Sequence, residues 1–253
     1  MRGARPYRGA RQGLSAGSGK SLVVSPMTTH DIAKVERTEM YLKAVLTIAQ
    51  AGHRVTTSRV ADAMGVSAPS ASEMLKRLEH LGYVEASHDG ARLSAAGLGI
   101  AARVVRRLRL AERLLTDILK MDLPAVYDEA CKMEHVISPE VESRLDAVLG
   151  RPGVCPHGHP IPPQDGGLWV RRDQTLAALP PGTLARITAL PEERTDLLKS
   201  SLAIGLRLDA EVRVEAAATP RGPLIVRTNG IRHTVARETA ESVWALPATA
   251  GAE

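Results

Sequence analysis

Residues 57–81, TSRVADAMGVSAPSASEMLKRLEHL, decide the fold of the first half of the chain. Residues 57–64 read as a short helix stopped by Gly65, and residues 67–81 read as a second helix closed by Gly82. Ser67 suits an N-cap, and Pro69 falls in the first turn, where its missing N–H costs nothing. Val60, Met64, Val66 and Met74 are spaced to face inward. The small Ala61 lets the two helices approach, and Gly65 permits the sharp turn between them. Residues 83–93, YVEASHDGARL, follow at once. Asp89-Gly90 between two short alternating runs predicts a hairpin turning at that dipeptide.

Working outward, residues 34–50 carry Met40, Tyr41, Val45, Ile48 and Ala49 at helical spacing, with Gly52 as a stop. Helix, helix-turn-helix and hairpin together spell a winged helix-turn-helix. Such a unit lays its second helix in the major groove of double-stranded DNA. Arg59, Ser67, Ser70, Ser72, Glu73, Lys76 and Arg77 are the candidate DNA contacts, offering hydroxyls, a carboxylate and cations to phosphates or base edges. A winged helix used for protein contacts is the competing reading. Downstream, Ser94 caps a long helix reaching about Lys120. Leu123-Pro124 opens one over about 125–137, and Ser138-Pro139-Glu140 opens another ending at Gly150. Residues 151–168 are rich in Pro and Gly and read as a linker or loop. Beyond Trp169, residues 183–188, 211–214, 224–227 and 231–235 alternate with period two, with a short helix over 197–202. A small β-barrel of about 75 residues fits this pattern. The expected fold is a mainly α half, then a small barrel. The expected divisions are a basic tail (1–30), a DNA-binding domain (31–102), a helical domain (103–168) and the barrel (169–250).

Composition narrows the function classes. Of 253 residues, 44% are hydrophobic and 24% charged, which excludes a disordered or collagen-like chain. Aromatics make up 2% with no Phe, so the core is aliphatic and a stacking platform for single-stranded nucleic acid is not expected. No apolar run of about 18 residues is present, so neither a spanning helix nor a membrane partner is expected. Two cysteines make no disulfide framework, which suits a reducing cytoplasm. The net charge of +5 resides in the tail: Arg2, Arg5, Arg8, Arg11 and Lys20 meet no acidic residue before position 30, and the remaining 28 basic residues balance 28 acidic ones. The tail reads as a DNA-touching arm, a solvated leader, or sequence preceding a true start at Met27.

Cys131, Glu134 and His135 stand at i, i+3 and i+4 and point to one face of the predicted helix. Thiolate, carboxylate and imidazole form a transition-metal donor set. Spacing alone leaves open a buried cysteine and a capped histidine on an ordinary amphipathic helix.

RTEMYL (37–42), LAERLLTD (110–117) and DEACKMEHV (128–136) resemble the diphtheria-toxin-repressor family of metal-dependent transcriptional repressors. The resemblance covers about residues 31–248. It implies a winged helix, a helical dimerisation domain and an SH3-like, FeoA-type barrel. It also implies a primary metal site at Met40, Cys131, Glu134 and His135. Of the family's ancillary site, Glu112 is retained, but Leu108 and Tyr127 stand where the family has histidines. Glu192 or Glu193 of the barrel is the candidate replacement. Glu73 replaces a family glutamine on the recognition helix, and Glu accepts from cytosine N4 where Gln reads adenine. Soft thioether and thiolate ligands favour Fe²⁺, with Mn²⁺ the alternative. Cys155-Pro156-His157-Gly158-His159 carries donor types but is read as a plain loop. The expected function is a homodimeric, metal-activated repressor of metal-uptake genes acting on operator DNA. The alternative is a winged-helix regulator that has lost metal control. No spare general base, nucleophile elbow or phosphate loop is present, so no enzyme is expected.

Overall fold

The computed structural model of the protein describes residues 29–88, 90–165, 171–217, 219 and 222–248. The basic tail with Met27, Asp89 and Trp169 lie outside the described residues. Helices α1 (Thr29–Gln50), α2 (Thr57–Met64) and α3 (Ala68–His80) pack around Leu42, Val45, Val60, Ala61, Ala71, Met74 and Leu78. The local signals act as the sequence implies. Thr56 Oγ1 accepts the Arg59 N–H to cap α2, and Gly65 closes it at φ 63°. Ser67 Oγ accepts the Ser70 N–H to cap α3.

The wing pairs β1 (Val84–Ser87) with β2 (Gly90–Leu93). Ser87 stands opposite Gly90, so Gly90 belongs to the second strand rather than to the turn, while the Asp89 half of the expected turn lies outside the described residues. The reason is tertiary. Gly90 opens β2 at φ 105°, and a Cβ there would collide with the Val55 carbonyl, to which the Ala91 N–H donates at 3.0 Å. The wing is thus pressed against the segment preceding α2.

Helix α4 (Ala95–Arg113) starts at the Ser94 cap, and the helical backbone continues to Ile118, near the expected end at about Lys120. Leu114–Ile118 form one π-helical turn, and Lys120 adopts φ 57°. The Thr116 hydroxyl donates to the Glu112 carbonyl at 2.8 Å, a side-chain intrusion of the kind that loosens a helical ladder. Helix α5 (Leu123–Met133) is shorter than expected. Glu134 is its C-cap, and residues 134–136 form a turn before Ser138 caps α6 (Pro139–Val148).

Among the described residues, the C-terminal part forms a six-stranded antiparallel sheet in the order β3-β8-β4-β5-β6-β7. The strands are β3 (Gln174–Thr175), β4 (Leu184–Ala189), β5 (Glu211–Ala217), β6 (Leu224–Thr228), β7 (Ile231–Val235) and β8 (Trp244–Pro247). Helix α7 (Thr195–Ala203) joins β4 to β5, and α8 (Arg237–Ser242) precedes β8. The expected strands are present. β3, β8 and α8 are too short to leave a periodic signature. Ile187, Val212, Val214, Val226 and Val235 alternate inward to form the core. Leu123 at the start of α5 packs against that core, and Thr195 Oγ1 donates to the Pro124 carbonyl at 3.4 Å, so the sheet domain is docked on the helical one. No described helix is long and apolar enough to cross a membrane.

Candidate metal centre

Three arginines of α4 determine where the 151–163 loop lies. Arg106, Arg109 and Arg113 recur at spacings of three and four, so they share one helix face. Arg106 Nη1 donates to the Pro162 carbonyl at 2.8 Å, Arg109 Nη1 to Pro160 at 2.6 Å and Arg113 Nε to Val154 at 2.8 Å. Glu142 and Asp146 of α6 neutralise Arg106, each at 3.0 Å. Pinned in this way, the loop delivers Cys155 and His157, both fully buried, to Glu112 of α4 and to Glu192 after β4. The Glu112, Cys155, His157 and Glu192 ligand atoms all lie within 4.8 Å of one another.

Residues 155–159 form a loop, as read from the sequence, but one whose Cys155 and His157 converge with Glu112 and Glu192. That convergence also divides the two barrel candidates, since Glu192 joins Glu112 and Glu193 does not. The partner that Leu108 and Tyr127 fail to supply comes instead from the loop. The sequence signal was present in the donor-rich Cys155–His159 stretch and in the regular arginines of α4, but nothing local connects the two.

The donor set of this cluster could hold an ion. Both carboxylate oxygens of Glu112 and both ring nitrogens of His157 are buried without a hydrogen-bond partner, although His157 Nδ1 is 3.2 Å from Glu112 Oε1. Buried groups of this polarity are almost always satisfied. The Cys155 thiol donates to Glu192 Oε1 at 3.3 Å. Burial, then the nearby Glu112 and Glu192 charges, push the Cys155 thiol well above its usual range. Burial and Glu192 also raise the Glu112 carboxyl. Burial would raise Glu192 too, but Arg109 outweighs it and holds that carboxyl below the usual range. The contact is bidentate, Nε to Oε1 and Nη2 to Oε2, each 2.9 Å. Sulfur, imidazole nitrogen and two carboxylates suit a divalent transition metal.

The second cluster lies where α1 meets the end of α5. His135 Nδ1 is 2.7 Å from Glu39 Oε2, and its Nε2 is 3.2 Å from Glu134 Oε1. Glu39, unnoticed in the sequence, orients the ring as metal-site carboxylates do. Burial disfavours the charged imidazole, but Glu134 and Glu39 outweigh it and raise His135 to about 9. Glu134 Oε2 and His135 Nε2 are buried without a hydrogen-bond partner. Met40 is half-buried on the same helix as Glu39, and Cys131 is half-buried on α5. Cys131 does not close on Glu134 and His135 to the mutual distance of the Glu112 cluster. Instead, Lys43 Nζ sits 2.6 Å from Glu134 Oε1.

On the winged helix, Arg59, Ser67, Ser70, Glu73, Lys76 and Arg77 are exposed and Ser72 is half-buried. Ser70, Glu73 and Arg77 border a cleft with Arg37 and Tyr41, while Ser72 and Lys76 border one facing the wing. Those on α3 therefore fall on two flanks of that helix, and Arg59 lies on α2.

Comparison with known proteins matches three family models in succession. They are the iron dependent repressor N-terminal DNA binding domain over residues 34–91, the iron dependent repressor metal binding and dimerisation domain over 94–163, and the FeoA domain over 174–246. The diphtheria toxin repressor of Corynebacterium efficiens is 34% identical over 223 residues, covering 83% of this chain and 94% of that protein. The iron-dependent repressor IdeR of Mycobacterium tuberculosis is 32% identical, covering 83% and 96%. A solved manganese-dependent transcriptional repressor in complex with manganese superimposes with a TM-score of 0.74 at 30% identity, covering 83% of this chain and all of that one. The order of the domains, the winged helix and the SH3-like end domain all agree, and the chain belongs to the iron-dependent repressor family of metal-dependent transcriptional repressors, which are not enzymes.

Proposed function

We propose that this chain is a cytoplasmic, homodimeric repressor of metal-uptake genes that binds double-stranded operator DNA when loaded with divalent metal. The buried Glu112–Cys155–His157–Glu192 cluster carries this reading, because its orphaned donors have no other evident use. That cluster would hold one ion, and Met40, Cys131, Glu134 and His135 would hold another. The second set joins α1 of the DNA-binding domain to the end of α5, so ligation there fixes how the winged helix is presented. An ion in either place supplies positive charge to buried carboxylates. The thiols, together with the Met40 thioether, favour Fe²⁺, with Mn²⁺ as the alternative. Arg59, Ser67, Ser70, Ser72, Glu73, Lys76 and Arg77 are the proposed DNA contacts. Val141 and Val148, seven residues apart on one face of α6, are 50% and 74% exposed and suit pairing with a second copy.

Footprinting with Fe²⁺, Mn²⁺, no metal and excess chelator tests the reading. Protection is expected with metal and is expected to vanish with chelator. Met40→Ala and Cys131→Ala should each weaken metal-dependent protection by ~100-fold or more, as expected when a ligand rather than a supporting group is lost. Both variants should retain the wild-type circular dichroism. One observation favours a regulator without metal control: the Lys43–Glu134 ion pair already joins α1 to α5. Full protection in chelator would select that reading.

A further inference from the structure

Lys43 is the residue of α1 that the ligand sets leave unexplained. Its side chain is 6% exposed, and a lysine so deeply buried needs a partner. Nζ lies 2.6 Å from Glu134 Oε1 and 5.9 Å from the centroid of the Tyr127 ring. Burial disfavours its charged form, but Glu134, with smaller contributions from Cys131 and Glu193, outweighs that. Glu134 is fully buried, and its second oxygen has no hydrogen-bond partner. An ammonium therefore holds the carboxylate that a divalent cation at this position must also use.

We infer that Lys43 is a resident competitor of the metal at the Met40–Cys131–Glu134–His135 site and sets the metal concentration at which that site fills. The inference rests on the function proposed above and adds its regulation. Two cations cannot share Glu134 Oε1 at contact distance, and an ion that takes the unpartnered Oε2 meets the ammonium across one carboxylate, so either way Lys43 opposes filling of the site. The physical logic is that of a competent state only partly populated: apparent affinity falls by the fraction of molecules in which Glu134 is free. The pair also holds α1 against α5 in metal-free protein, so the unliganded junction does not leave a buried carboxylate bare.

The test uses Co²⁺, whose thiolate charge-transfer band reports ligation by cysteine. In a Cys155→Ser background the band reports Cys131 alone. Adding Lys43→Met should tighten Co²⁺ binding at that band by roughly tenfold or more and lower the metal-free melting temperature. Lys43→Arg, which keeps the charge, should not tighten it. Lys43→Gln, which keeps a donor for Glu134 but carries no charge, should also tighten it. This variant keeps the question open to test if Lys43→Met does not fold. Unchanged or weaker binding in Lys43→Met overturns the inference, as does unchanged or weaker binding in Lys43→Gln. Footprinting of the wild type in parallel separates the two ideas. Metal-dependent protection with no effect of Lys43→Met sinks the competitor alone, and metal-independent protection sinks the proposed function.

Discussion

Replacing Arg109 by methionine is expected to destabilise the metal-free protein by about 3–5 kcal/mol, the usual cost of removing one partner of a buried ion pair. Arg109 makes the bidentate contact that keeps Glu192 ionised beside Glu112, and its third donor pins the Pro160 carbonyl. Without it, two carboxylates and a thiol share a buried space with no cation. The pH dependence should reverse as well. In the wild type, the lowered Glu192 carboxyl contributes stability that is full above the ordinary carboxylate range and is lost only as pH falls through the lowered value. In the variant, burial raises that carboxyl, so the folded state binds the extra proton and the deficit grows as pH rises. Divalent metal supplies the missing charge. Denaturant titrations with and without Zn²⁺ or Mn²⁺ should therefore show a larger metal-induced gain in Arg109→Met than in the wild type. Equal metal-free stability of the two proteins would show that the pair does not hold the cluster.

Gly158→Ala should cost about 3 kcal/mol and remove one bound metal per chain. Gly158 adopts φ 89°, and a Cβ there would collide with the Thr188 carbonyl and lie 2.7 Å from Leu208 Cδ2. The obstructing oxygen belongs to the β4 backbone, so the loop must move rather than a side chain. Any retreat carries Cys155 and His157 away from Glu192, which follows the same strand. Gly153→Ala in the same loop meets nothing within 4 Å and serves as the control. Metal content after dialysis should read one equivalent fewer for Gly158→Ala than for the wild type, and the wild-type value for Gly153→Ala. A full complement in Gly158→Ala would remove the loop from the site.

These two variants mark the boundary of what could be read from the chain. The caps at Ser67, Ser94 and Ser138, the turn at Gly65 and the inward spacing of Val60 and Met74 all act within a turn or two of themselves, whereas Val66, expected to face inward with them, is 38% exposed. These local signals are written in consecutive residues, and the helices followed from them. The π-helical turn after Arg113 left no signature in consecutive residues. Gly90 belongs to the strand rather than to the turn, where Val55, far upstream, presses on it.

The donor types of both candidate clusters could be recognised from residue identity and from likeness to a family. Their assembly could not. Glu112, Cys155, His157 and Glu192 come from a helix, a loop and the connection after a strand, and share no period. Their convergence depends on three α4 arginines finding loop carbonyls, and on a barrel docked at Leu123. Lys43 is the plainest case. In the linear chain it is one more helical lysine, and only burial beside Glu134 turns its charge into a rival for the metal. Short-range sterics and hydrogen bonds are encoded residue by residue. Which charges must neutralise one another in a dry interior is known only when distant segments have closed around them.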